Sequence, residues 1–241
     1  MTERIKATLP LAIAIGVLAF AWTEFSLNFT FHWFTAGDLG NGLELPNNFH
    51  LVLPAAFVSW GFFFAAGADN AALRKVVAAS ITGGLAALAT MALSSATADF
   101  PDFWGIALWV GVFAAVLVVL SAAGDWHYVP ATFGAFAAVF FWWIATGLDY
   151  WLENGGGVGN SVKALADPAT AGSGAFSGVL STPYAWVWIS ITATLLCGCV
   201  LGIASVKLAG LIGRLFKSDR SVAEPDVEVA PGSVDPPGVT G

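Results

Sequence analysis

Six long apolar runs decide what this chain can fold into: Ala7 to Leu27, His50 to Ala68, Val76 to Ala98, Phe103 to Gly124, Val129 to Leu148 and Tyr184 to Val206. Each has roughly the 20 residues that a helix needs to cross about 30 Å of hydrocarbon. Barrel strands would alternate polar and apolar residues instead, and these runs do not alternate, so they read as helices. The composition agrees, with 57% hydrophobic and only 10% charged side chains. The expectation is an all-α integral membrane protein with six transmembrane helices in a domain over residues 1–217.

The nine Lys and Arg residues orient it. With the N-terminus inside, Arg4, Lys6, Arg74, Lys75, Lys207, Arg214, Lys217 and Arg220 fall on the cytoplasmic side and Lys163 alone lies outside, the asymmetry expected of an inserted protein. Both termini are then cytoplasmic. The first run is too long for a secretory signal and lacks a small-residue cleavage pattern after Trp22, Thr23 and Glu24, so it is read as retained. From Ser218 onward Pro225, Pro231, Pro236 and Pro237 stand among acidic residues without an apolar cluster, which predicts a disordered acidic tail over 218–241. The formal charge of −7 argues against nucleic acid as a partner.

Within the runs, short fragments recur in order. His50-Leu-Val-Leu-Pro54-Ala-Ala-Phe57 returns as His127-Tyr-Val-Pro130-Ala-Thr-Phe133; Gly16-Val-Leu-Ala19 resembles Gly111-Val-Phe-Ala114; Ser80-Ile-Thr82 matches Ser190-Ile-Thr192. Three helices per copy is an odd number, so a second copy enters the bilayer from the opposite side. The sequence therefore predicts two inverted three-helix repeats, 7–98 and 103–206, with a route for a small solute where they meet.

Several residues could serve that route. His50 and His127 stand at opposite mouths, where imidazole donates or accepts hydrogen bonds, or simply anchors beside Phe49 and Trp126 at the interface. Pro54 and Pro130 start helices, as proline does readily; were those segments short or re-entrant, their free N–H groups would face a solute. Glu24 is the one acid well inside an apolar run and would be the proton carrier of a coupled transporter. Ser80, Thr82, Ser190 and Thr192 could bond a neutral solute or their own backbone. Gly198 and Gly202 have small-xxx-small spacing, fit for close packing within the chain or in a homo-oligomer.

No phosphate loop, metal cluster or buried histidine pair is evident, so neither a cofactor nor a metal is expected, and an enzyme is not. Cys197 and Cys199 point to nearly opposite helix faces and cannot chelate together.

At Trp60-Gly-Phe-Phe63 to Gly67, through the small-residue third run, and at Val129-Pro-Ala-Thr-Phe-Gly-Ala135, the chain resembles the YcdZ-like inner-membrane family of unknown function, over roughly Ala7 to Phe216. The resemblance implies a compact bacterial inner-membrane protein and supplies no substrate or site residue. The expected function is a channel or facilitator for a small neutral or weakly acidic solute, its partners the lipid bilayer and that solute. The alternatives are a non-transporting membrane subunit or scaffold, and a proton-coupled transporter using Glu24.

Overall fold

The structure, a computed structural model, describes residues 2–28, 49, 51–97, 100–101, 104–145 and 184–222. Their elements are helices: α1 (Thr2–Asn28), α2 (Leu53–Ala65), α3 (Asn70–Ala96), α4 (Trp104–Val119, tightened to a 3-10 turn over Leu120–Ala123), α5 (Val129–Ala145) and α6 (Tyr184–Val222). No strand occurs among the described residues. The long loops, His50 and the segment after Val222 lie outside the described residues.

Four helices are long and apolar enough to cross a bilayer: Arg4–Ser26, Asn70–Ala96, Trp104–Ala123 and Tyr184–Phe216. The other two are shorter than the sequence runs predict. α2 has 13 residues and α5 has 17, a rise of about 20 and 26 Å. α2 starts late because Val52 is still extended, with φ −89 and ψ 96; extended residues advance further per residue than helical ones. α6 is longer than its apolar run, continuing through Lys207 and past Ser218 to Val222.

Glycine and a cap set the turns between helices. Two residues past the end of α2 the chain turns at Gly67, whose φ of +115 favours a residue without a side chain. Two residues later the Asp69 carboxylate accepts the Ala72 N–H at 2.7 Å and starts α3. Gly124, at φ +130, makes the corresponding break between α4 and α5.

The packing is interlocked. α6 runs between α1 and α2, and α3 runs between α4 and α5. The third helix of each sequence half thus lies among the first two of the other, and the two groups join where α3 crosses α6. Small residues permit the approach: a side chain on Gly83 would strike the Thr132 carbonyl and Ala135, and one on Gly198 would strike the Ala56 carbonyl and Ser59. Gly202 has Phe63 against it, so the small-xxx-small pair is used inside the chain. The core is aromatic and aliphatic, with Phe63, Met91, Val139, Trp143 and Leu195 fully buried.

Candidate functional site

Between α2 and α5, roofed by Ile191 of α6, lies a cleft of about 460 Å³ lined by Val52, Pro54, Ala55, Val58, Gly134, Ala137, Ala138, Phe141 and Trp142. Its walls are hydrocarbon and aromatic. Phe141 is 67% exposed at its rim, so the cleft opens sideways out of the bundle. The seam is asymmetric along its length. Toward the end of α2, Phe62 lies against Gly134 and stacks edge-on to Tyr128 at 6.3 Å. Toward the start of α2, where the cleft is, Val58 and the small Ala138 both line the open space.

Two of the four hydroxyls named by the sequence bond their own helix. Ser80 donates to the Val76 carbonyl at 2.8 Å, and Thr82 to that of Ala78 at 2.9 Å. Thr90, Thr132 and Thr194 do the same toward Ala86, Tyr128 and Ser190. Ser190 is buried on α6. Thr194 carries a second load: its oxygen accepts the Val52 N–H at 3.2 Å, satisfying extended backbone ahead of α2 that would otherwise be costly to bury. Thr192 differs, for its buried hydroxyl has no partner among the described residues; nor has the Trp188 indole N–H one turn earlier. Both converge on Gly84, where a side-chain carbon would stand 2.7 Å from the Thr192 oxygen and 3.3 Å from the Trp188 nitrogen.

His127 is 7% exposed, and its Nε2 is 2.8 Å from the Leu117 carbonyl. A carbonyl only accepts, so Nε2 carries a proton and donates it. The histidine clamps the last turn of α4 to the start of α5. Pro54 is exposed and lines the cleft; Pro130 is exposed at the start of α5 and does not line it. Glu24 is half-buried near the end of α1, two residues beyond Trp22, whose indole N–H donates to the Leu53 carbonyl at 3.2 Å. The structure therefore does not gather these residues into one route. Pro54 is at the cleft, Thr192 at the α3–α6 crossing, and His127 at the α4–α5 joint. Phe62, Gly134, Ala138 and Trp142, which shape the cleft, carry no polar signal that sequence reading could single out.

No group of three His, Cys, Asp or Glu able to hold a metal occurs among the described residues. Cys197 is half-buried and Cys199 buried, and both are free thiols.

Long apolar helices around a small-residue, aromatic interior are the build of a polytopic helical membrane protein. The chain belongs to the family described as Protein of unknown function (DUF1097), whose model matches residues 12–210. No curated protein and no solved structure matches it.

Proposed function

We propose that this chain is a non-transporting subunit of the membrane, whose α2–α5 cleft receives an apolar side chain from a partner transmembrane segment. The lining of that cleft carries the reading. A solute route between the second and fifth helices needs polar groups to replace water, whereas this one is walled by Val52, Val58, Ala138, Phe141 and Trp142. Of the hydroxyls that could have served, Ser80 and Thr82 are bonded to their own backbone. Proteoliposome swelling with small amides, weak acids and polyols tests this. Rates equal to those of empty liposomes are expected, and a solute-dependent excess would overturn it.

The proposal includes six spans in a bacterial inner membrane, both termini cytoplasmic, arranged as two inverted repeats of the YcdZ-like type. Support comes from neighbour relations. Exchanging α1 with α4, α2 with α5 and α3 with α6 maps α3–α5 packing onto α6–α2, and α1–α6 onto α4–α3. Gly83 against Thr132 and Ala135 is the same contact as Gly198 against Ala56 and Ser59. This register pairs Gly83 with Gly198, five residues beyond the match implied by Ser80 and Ser190. Under it, buried positions coincide: Val76 with Ile191, Ala79 with Thr194, Thr90 with Ser205.

A facilitator for a small neutral solute is the second reading, favoured by the Thr192 hydroxyl and Trp188 indole N–H at Gly84, which have no partner among the described residues. The same swelling assay decides it, with Thr192→Val expected to remove any flux that depends on that pair. Coupling through Glu24 would require proton movement accompanying the flux.

A further inference from the structure

α6 is too long for the bilayer it crosses. Its 39 residues rise about 58 Å, against a hydrocarbon thickness of about 30 Å. Tilts of up to about 40° lengthen the path to only about 39 Å. The surplus lies at the C-terminal end, because Tyr184 and Trp186 mark the other end as an aromatic interface belt. The first charge after them is Lys207, about 35 Å along the axis.

Beyond it the helix has two kinds of exposed surface. Lys207, Gly210 and Arg214 are exposed on one side. Leu211 and Leu215, 57% and 68% exposed, lie beside them. The α1 end runs alongside, with Pro10 4.0 Å from where a side chain on Gly213 would begin. It adds Arg4 and Lys6, both exposed, next to Ile5 and Leu9, 57% and 43% exposed. Lys217 and Arg220 continue the sequence of α6, and the acids in these two ends are Glu3 and Asp219. A helix end with exposed leucines beside exposed cations suits the headgroup boundary, with its apolar side sunk into the acyl region and its cations at phosphate level.

We infer that the paired ends of α1 and α6 form a binding surface for anionic phospholipid headgroups. The cations are complementary to phosphate diesters, and the neighbouring leucines bring the surface to the depth where those phosphates lie. This surface is separate from the α2–α5 cleft and holds whichever function the cleft has.

The test uses the full chain in detergent, with native mass spectrometry of retained lipid after titration with phosphatidylglycerol or phosphatidylcholine. Phosphatidylglycerol should be retained preferentially, and Lys207→Gln with Arg214→Gln should cut that preference by about fivefold per charge removed. Arg74→Gln with Lys75→Gln, at the start of α3, should leave it unchanged. Thermal unfolding in detergent of each variant checks that it is folded. Equal retention of both lipids, or a preference untouched by the Lys207 and Arg214 changes in a folded variant, would overturn the inference.

Discussion

The ring of Phe62 occupies the space that a side chain on Gly134 would fill. The exchange that pairs Pro54 with Pro130 pairs Phe62 with Ala138 and Val58 with Gly134. One end of the α2–α5 seam is thus closed by an aromatic ring and the other, where alanine stands in its place, is left as the cleft. Ala138→Phe should supply the missing ring, closing the cleft without lowering the melting temperature in nanodiscs. Phe62→Ala should lower it by opening a second gap. The cost should fall below the roughly 3–5 kcal/mol typical of Phe→Ala in soluble cores, since lipid hydrocarbon offers the ring an apolar alternative. A melting temperature for Phe62→Ala equal to that of the parent would remove the closed-end assignment.

Backbone and a tethered side chain stand against Gly198: an added carbon would strike the Ala56 carbonyl, and Ser59, whose hydroxyl bonds the Leu195 carbonyl at 2.6 Å, could not yield without losing that bond. Gly198→Ala and Gly83→Ala should each destabilise by about 1–3 kcal/mol. Gly111→Ala, with nothing within 4 Å, should be neutral or slightly stabilising, because alanine favours helix. Melting curves of the three variants in one detergent make the comparison.

The hydroxyl of Thr194 is the acceptor for the Val52 N–H. Thr194→Val keeps the shape and leaves a backbone donor unpaired in an apolar surround, which should cost about 1–3 kcal/mol. Thr194→Ser should retain most of the stability. If the valine and serine variants melt together, the bond carries no load.

The helices are legible in the sequence because apolar run length is a direct consequence of bilayer thickness. Their ends are not, for identifiable reasons. Val52 stays extended because Thr194, 142 positions away, accepts its N–H, a partner that no local pattern reveals. α6 runs on past Val206 because Lys207 and Arg214 interrupt hydropathy without interrupting helix. Under the proposed repeat, the Gly83 and Gly198 contacts set a register five residues from the Ser80 and Ser190 match, because Ser-Ile-Thr identity is a chemical likeness whereas packing is set by where glycine admits a backbone. The hydroxyls were legible as residues but not as bonds: whether Ser80 faces a solute or the Val76 carbonyl is a choice of rotamer. The cleft was invisible, since its character comes from a missing ring at Ala138.

The proposed inverted arrangement has a consequence for labelling. α2 and α5 start with related Pro-Ala sequences, and oppositely oriented copies would place those starts on opposite sides of the bilayer. A cysteine at Leu51, just ahead of α2, and one at Trp126, just ahead of α5 and 43% exposed, should therefore react from different faces. The native thiols at Cys197 and Cys199 are first replaced by serine and alanine. In right-side-out vesicles a membrane-impermeant maleimide should modify Leu51→Cys directly and Trp126→Cys only after permeabilisation. Reaction of both from one face would leave the Gly83 and Gly198 contacts standing as packing, but would remove opposed repeats as their explanation.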